Sequence, residues 1–359
     1  MAEDQFGEQI IPGTYIRVQA EGLISAGGIS AGNIGMVGTA GSNTGKTYTL
    51  SDYDTARTTF GAYDAYDDGN GSLNMTRGLE VLYRNGARTV YAYGLEAGSD
   101  QSDYTDAFNE LLKDNVNILV APELDTATAI SVLGMVNSAE DQGKDLIAVI
   151  GSDQTEASDV LSQVSSNKRF VMSTPGFEAF DAVASTNVNL SGTYSAAAVA
   201  GLISSLAVQS SPTNKVLSGV TKLSKRFNYG EMKDLVTGGV LALEERRGVR
   251  IVRGITTQAS ENGAFSQVTT RRITDYAKAG IRQVSNPFIG KLNNERVRKA
   301  MYGAIDGFLA TMRQDESLTY YQLEVTATRQ DEIAGRAVVN VLMQPTFSID
   351  YIRVTLSLQ

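Results

Sequence analysis

Cysteine, histidine and tryptophan are all absent from this chain of 359 residues. Without cysteine, neither disulfides nor thiolate metal sites can form. Without histidine, Ser-His-Asp and Cys-His catalysis, histidine metal sites and histidine pH switches are excluded. These absences leave few routes to catalysis, and we expect no catalytic residue, no metal and no cofactor.

Long apolar runs are also missing, since the longest, 196–208, is too short and too rich in serine to span a bilayer. The chain opens with the acidic stretch Met1-Ala2-Glu3-Asp4, which lacks the apolar region of a signal peptide. We therefore expect a soluble protein that is made in the cytoplasm and does not insert into membranes.

Charge is unevenly distributed around the net value of −9. Residues 1–250 hold 18 Lys and Arg against 30 Asp and Glu, whereas residues 251–359 hold 13 against 10. An acidic region over 1–250 with a mildly basic region over 251–359 argues against general nucleic-acid binding. It fits a partner of opposite charge that meets only one part of the protein.

The two ends of the chain share a strand-like pattern. Near the C-terminus, Ile352, Val354 and Leu356 alternate with Tyr351 and Arg353, which is the period of a strand with one buried face. The tetrapeptide Tyr-Ile-Arg-Val at 351–354 occurs again near the N-terminus as Tyr15-Ile16-Arg17-Val18. A Gly-rich connector over 22–35 follows it. Two alternatives stay open: the ends pair within one subunit, or each adds a strand to a neighbouring subunit.

Between the ends, apolar strands alternate with amphipathic helices. We predict strands at 34–39, 89–95, 116–121, 146–150, 249–255, 318–328 and 337–343. The predicted helices include 233–247, 270–285 and one that begins at Asn293 or Asn294. This order predicts an α/β (mixed α+β) fold, with a mostly parallel or mixed sheet covered by helices and with extended N- and C-terminal β-strand arms.

One stretch satisfies a loose phosphate-loop pattern, Ala40-Gly-Ser-Asn-Thr-Gly-Lys-Thr47. In such a loop Lys46 would bind phosphate oxygens and Thr47 would bind magnesium. The pattern needs a helix that begins at the lysine, but the residues after Lys46 are strand-like. A P-loop nucleotide-binding protein is therefore the alternative function, and a glycine-rich connection between strands is the better interpretation.

Several segments occur in the order found in tail sheath proteins of contractile phages and phage-tail-like particles, and the chain resembles that family from about residue 34 onward. The matching segments begin with Ile34-Gly-Met-Val-Gly-Thr-Ala-Gly41 and include 51–61, 85–93, 116–122, 196–202, 249–257, 272–276, 286–290 and Gln344-Pro345. The resemblance implies a structural subunit that polymerises helically around an inner tail tube and contracts to drive the tube through the host envelope. It also implies that the terminal arms add strands to neighbouring subunits, which favours the second alternative above.

The resemblance further implies partners and a location. The partners would be further copies of the chain, the inner tail tube protein, and the baseplate and tail terminator proteins. The location would be the tail of a virion or a phage-tail-like particle, assembled in the host cytoplasm. Because a C-terminal helix of such proteins lies against the tube through charged contacts, Arg296, Arg298 and Lys299 are candidates for a tube-facing cluster.

The predicted domain organisation has four parts. An N-terminal arm and connector occupies 1–33, an α/β sheath domain 34–248, a C-terminal sheath core domain 249–344, and a C-terminal strand arm 345–359.

Overall fold

The computed structural model describes residues 29–66, 73–259 and 263–357. The strands in these ranges are β1 (Ile34–Thr39), β2 (Thr47–Leu50), β3 (Val90–Leu95), β4 (Ile118–Val120), β5 (Ile147–Gly151), β6 (Phe170–Thr174), β7 (Phe177–Asp181), β8 (Thr186–Leu190), β9 (Lys222–Leu223), β10 (Val240–Glu245), β11 (Val249–Ile251), β12 (Leu318–Thr326) and β13 (Val338–Pro345). The helices are α1 (Tyr53–Phe60), α2 (Met75–Arg84), α3 (Gln101–Leu111), α4 (Thr126–Leu133), α5 (Met135–Asp141), α6 (Ala157–Ser162), α7 (Gly192–Ser205), α8 (Tyr229–Thr237), α9 (Val268–Ser285), α10 (Glu295–Gln314) and α11 (Arg329–Ile333).

The chain divides into two compact units. Among the described residues, the larger unit, which we call the body, comprises residues 30–271 and 347–357; the smaller, which we call the C-terminal unit, comprises residues 272–346. The predicted boundary at 248/249 differs from this division. It falls inside a hairpin in which β10 pairs with β11, so residues 249–271 continue the body.

An eight-stranded sheet in the order β11-β10-β6-β5-β4-β1-β3-β2 forms the centre of the body. Its six inner strands pair in parallel, while β2 and β11 pair antiparallel at the two edges. The predicted mixed sheet of mostly parallel strands is therefore confirmed.

Helices cover both faces of this sheet because successive side chains of a strand point to opposite faces. In β1, Met36 packs into the apolar cluster that holds α2 and α7, whereas Val37 packs into the cluster that holds α3, α4 and α5. In β4, Val120 and Leu119 divide in the same way. Burial on both faces explains why the inner strands are continuously apolar.

The segment predicted as one helix over 233–247 is a helix followed by a strand, so that prediction is wrong. Helix α8 ends at Thr237, and Gly239 takes a φ of 90°, a left-handed conformation that disfavours residues with a side chain. Val240 to Leu243 then form the fully buried start of β10, which pairs in parallel with β6. An apolar run buried on both faces satisfies helical spacing as readily as strand spacing.

The C-terminal unit contains the C-terminal part of α9, the long helix α10 and the hairpin β12–β13. Asn294 caps α10 as predicted, since its side chain accepts a hydrogen bond from the Val297 amide at 3.0 Å. Helices α9 and α10 approach closely where the Phe308 ring lies over Gly280, because a Cβ at that glycine would lie only 1.4 Å from the ring. The two-stranded sheet packs beside α10, and Tyr321 donates a hydrogen bond to Asp306 Oδ1 at 2.8 Å.

Candidate assembly surfaces

Both glycine amides of the Ala40–Thr47 loop donate hydrogen bonds to carbonyls of the protein. Gly41 N–H donates to the Phe60 carbonyl at 3.1 Å, and Gly45 N–H donates to the Gly94 carbonyl at 2.9 Å. A phosphate loop instead directs such amides at the ligand. The loop is a connection from β1 to β2 that is tied to neighbouring segments.

The residues after this loop also depart from the phosphate-loop pattern. Thr47 begins strand β2, and Lys46 Nζ lies 4.8 Å from the centre of the Tyr48 ring. The next helix, α1, starts only after Asp52, whose side chain accepts from the Thr55 amide at 2.8 Å. The interpretation of this stretch as a connection between two strands is confirmed.

Exposed apolar side chains mark the C-terminal tail, residues 347–357. Tyr351, Ile352, Val354 and Leu356 are 71–86% exposed. Among the described residues the tail pairs with no strand, so the predicted terminal strand is not formed there. The alternation has no acceptor in that part of the chain, and a strand is stable only when its backbone groups are paired. The matching segment Tyr15–Val18 lies outside the described residues.

The base of the tail, residues 347–350, is nevertheless held. Asp350 Oδ2 accepts from Arg253 Nε at 2.7 Å and from Gln267 Nε2 at 3.0 Å. Sequence reasoning missed these three residues. Arg253 and Gln267 lie far from Asp350 in sequence, and no local pattern distinguishes this aspartate from a solvated one.

The β12–β13 hairpin offers open edges. In the described chain each of its two strands pairs only with the other, in antiparallel register with Leu323 opposite Val341. One face buries Leu323 and Met343, while the other exposes Tyr320 and Leu342. The hairpin can therefore accept a further strand along either side without losing a hydrogen bond of its own.

The first turns of α10 carry the three cations that were singled out from the sequence. Arg296 is exposed to solvent. Arg298 is largely buried and donates to Glu332 Oε1 at 3.1 Å, and Lys299 pairs with Glu295 at 2.7 Å on the surface. The three cations thus lie near one another but in different settings, and two of them neutralise acids of their own unit.

These ion pairs also act on the acids. Hydrogen bonds from Arg329 and then from Arg298 hold the pKa of Glu332 below its usual range. The hydrogen bond from Lys299 likewise lowers the pKa of Glu295. Both carboxylates stay charged at neutral pH, so the surface near Arg298 is a network of both signs.

A surface groove of about 330 Å³ lies beside this network. Tyr302 and Arg298 on α10 line one side, and residues 325–327 at the end of β12 line the other. The groove thus lies between a charged helix face and the end of the hairpin, two of the surfaces described above.

The described residues 29–66, 73–259 and 263–357 hold neither an acidic metal-binding cluster nor a membrane-spanning helix. In those ranges no group of three or more acidic side chains is arranged to hold a metal ion. Among the same residues no helix has both the length and the apolar character needed to cross a membrane.

Known structures share this fold. The chain superimposes on a chain of the anti-feeding prophage baseplate with a TM-score of 0.78 at 18% identity, over 98% of this chain and 100% of the other. The contracted helical sheath of the same particle gives a TM-score of 0.75 at 19% identity, with coverage of 98% and 100%. The contracted sheath complex of the PVC extracellular contractile injection system gives 0.73 at 15% identity, with 99% of each chain covered.

Sequence comparison gives the family. No curated protein matches the chain in sequence. Residues 97–257 match the central domain of the phage tail sheath protein, and residues 260–359 match the phage tail sheath C-terminal domain. Together these two matches cover most of the chain and include five of the eight strands of the body sheet, the hairpin and the tail, and the chain belongs to the phage tail sheath protein family.

Proposed function

We propose that this protein is the structural subunit of a contractile tail sheath. Copies polymerise helically around an inner tail tube, and the sheath shortens to drive the tube through the host envelope. Membership of the sheath family supports the structural role, and the likeness to contracted sheaths supports contraction.

The observation that carries the proposal is the exposed C-terminal tail. Tyr351, Ile352, Val354 and Leu356 present apolar side chains to solvent on a backbone with no strand partner among the described residues. An apolar, unpaired segment of this kind loses unfavourable contact with water when it adds to the sheet of another molecule. We assign the segment that follows β13, within 345–359, as the C-terminal arm and the segment around Tyr15–Val18, within 1–33, as the N-terminal arm.

The acceptor for these arms is the β12–β13 hairpin of a neighbouring subunit. Each of its two strands has one side that is unpaired in the described chain, and one arm would occupy each side. Strand addition supplies backbone hydrogen bonds that do not depend on sequence, and the alternating side chains set the register. Each subunit would then be linked to its neighbours through main-chain pairing.

Contraction needs no chemical step in this scheme. The free energy comes from the repacking of subunits into a lattice with more favourable contacts, while the arms keep neighbours joined. The subunit is therefore a mechanical component and not an enzyme.

The remaining partners follow from the position of a sheath. The basic start of α10, with Arg296, Arg298 and Lys299, faces the inner tube protein. Baseplate and tail terminator proteins bind the two ends of the polymer. Assembly takes place in the host cytoplasm, and the finished protein resides in the tail of a virion or a phage-tail-like particle.

Electron microscopy of purified protein tests the proposal. Wild type should form tubes or helical sleeves, and deletion of 351–359 should give a folded subunit that forms none. A sharper pair of variants keeps the length constant: Val354→Asp with Leu356→Asp against Thr355→Asp with Ser357→Asp. The first pair charges the apolar face of the arm and should abolish sleeves; the control adds the same charge on the other face and should retain them. Sleeves formed by the deletion variant would refute the arm model.

A further inference from the structure

The base of the tail is bound to the body by a specific set of polar contacts. Asp350 accepts from both Arg253 and Gln267, as described above. Gln267 also makes hydrogen bonds to both the backbone amide and the backbone carbonyl of Ser348. Its Nε2 donates to the Ser348 carbonyl at 3.3 Å, and its Oε1 accepts from the Ser348 amide at 3.1 Å. The side-chain amide of Gln267 thus makes the pair of hydrogen bonds to Ser348 that a neighbouring strand would make with its backbone.

These contacts are shielded from water, although the tail around them is not. Gln267 and the Asp350 side chain are 8% and 7% exposed, whereas Ile349 between the two bound tail residues is 79% exposed. A hydrogen bond to an ionised carboxylate is stronger than a neutral one, and shielding from solvent reduces its screening. The base of the tail is therefore anchored through Ser348 and Asp350, while its apolar side chains face outward.

The residues that hold the tail are themselves fixed to one another. Arg253 follows strand β11, and Gln267 precedes α9 and forms a bridge with Ile255. The Val268 amide donates to the Gly254 carbonyl at 3.1 Å. Arg253 and Gln267 therefore project from two segments joined by backbone hydrogen bonds, and their relative position is set by the body.

The anchored part of the tail ends abruptly. The Arg253 guanidinium lies 5.5 Å from the centre of the Tyr351 ring, and every residue from 351 to 357 is exposed. In the described part of the tail, the hydrogen bonds to the body thus end at Asp350, and Tyr351 meets Arg253 only through its exposed ring. The apolar alternation of the tail begins at this point.

We propose that Arg253 and Gln267 form a clamp on Ser348 and Asp350, and that this clamp positions the arm for strand addition to a second copy of the chain. The assembly role rests on the proposed function, in which residues from 351 onward pair with a neighbour. A segment whose base is already fixed has fewer conformations to lose when it binds. Loosening the clamp at Arg253 or Gln267 therefore weakens polymerisation, although neither residue belongs to the arm or to the hairpin that receives it.

The clamp is tested first in the unassembled subunit by hydrogen exchange. Gln267→Ala removes both bonds to Ser348, and exchange of the Ser348 amide should rise about fivefold or more, as expected for the loss of one partly buried hydrogen bond. Thr355→Ala, an arm variant that leaves the clamp intact, should exchange at that amide like wild type. Equal exchange in Gln267→Ala and wild type would overturn the clamp.

The second measurement is the protein concentration at which sleeves first form. Gln267→Ala, Arg253→Ala and Asp350→Ala should each raise this threshold. The double variant Arg253→Ala with Asp350→Ala should raise it by less than the two single effects combined, because the two residues act through one contact. Thermal unfolding reports whether each variant is folded, and Arg253→Lys, which keeps the positive charge, should recover part of the loss.

The outcomes separate the clamp from the proposed function. Faster exchange at Ser348 with an unchanged sleeve threshold would overturn the positioning role. A wild-type protein that forms no sleeves under any condition would overturn both the proposed function and that role. In that event, faster exchange of the Ser348 amide in Gln267→Ala than in wild type would show that the clamp forms although the protein does not polymerise.

Discussion

Arg77 on α2 donates from Nη1 to Asp181 Oδ2 at the end of β7 across 2.9 Å, and both side chains are buried. The rings of Tyr63 and Tyr66 lie 4.2 and 5.3 Å from the guanidinium carbon. Burial acts to raise the pKa of Asp181, but amide hydrogen bonds from Ala184 and Tyr66, together with Arg77, hold that pKa below its usual range. The pair fixes the antiparallel sheet β8-β7-β9 to α2, one of the helices that cover the central sheet.

Removal of one member of this pair should destabilise the body strongly. Arg77→Met keeps much of the side-chain volume but leaves a buried carboxylate without its cation, and we expect a loss of about 3–5 kcal/mol in the free energy of unfolding. Urea unfolding of the unassembled subunit measures this. Arg57→Met is the matched control, because Arg57 and Asp54 are exposed and 4.0 Å apart, and its effect should stay within about 0.5 kcal/mol. Similar losses in the two variants would contradict the prediction.

Glu123, which follows β4, should make stability depend on pH near neutrality. Burial raises the pKa of its carboxyl to about 7, against hydrogen bonds from the Thr39 hydroxyl and amide and from the Tyr104 hydroxyl. The folded state therefore holds this proton more tightly than the unfolded chain, and the contribution to stability is present at acidic pH. It should decline as the pH rises from about 4.5 to about 7, by at most about 3 kcal/mol.

The variant Glu123→Gln isolates this effect, since the amide remains uncharged throughout the range and its oxygen can still accept from Thr39. Chemical unfolding at a series of pH values should show a shallower decline for the variant than for wild type. Parallel curves between pH 5 and pH 8 would assign the pH dependence to other groups.

Lys46 should be dispensable. Its ammonium lies near the Tyr48 ring, and the Gly41 and Gly45 amides of the loop are already bonded to protein carbonyls. Lys46→Ala should change the free energy of unfolding by no more than about 0.5 kcal/mol, as for other surface substitutions, and should leave sleeve formation intact. Isothermal titration with MgATP should show no saturable binding to wild type. A binding isotherm that Lys46→Ala eliminates would restore the nucleotide-binding alternative.

The basic start of α10 yields a prediction about docking to the tube. Because Arg298 neutralises Glu332 within its own unit, its reversal would disturb folding, and Arg296 is the cleaner probe. Arg296→Glu should weaken co-sedimentation of subunits with purified tube at low salt, and added salt should weaken wild-type docking in the same direction. Arg313→Glu makes the same charge change in the last turn of the same helix and serves as the control. Equal losses in both variants would remove the start of α10 from the interface.

The sequence predicted those parts of the fold that depend on neighbouring residues, such as helix caps and strand connections. The sequence predicts a cap at Asn293 or Asn294, of which Asn294 caps α10, and the strand-like residues after Lys46 predict that Ala40–Thr47 connects two strands. The helix predicted over 233–247 failed because an apolar run that is buried on both faces carries no period of its own. Only the two glycines at 238 and 239 mark the change from α8 to β10, and glycine also occurs inside helices.

The long-range contacts could not be predicted in the same way. Arg77 and Asp181 are 104 positions apart, and Gln267 bonds Ser348 across 81 positions. Neither pair has a spacing or a motif that distinguishes it from solvated polar residues. The alternation of Ile352, Val354 and Leu356 did predict a segment able to form a strand. Nothing in that segment indicates which strand it would pair with.

The open edges of the β12–β13 hairpin also set a kinetic condition on growth. In its described part, a free subunit carries both an exposed apolar segment and two strand edges without a partner, so two free subunits can join in the wrong geometry. The rate of that error scales with the square of the free-subunit concentration, whereas orderly growth scales with the product of free subunits and growing ends. A small free pool supplied to many growing ends therefore favours correct polymers, and a burst of subunits without such ends favours aggregates.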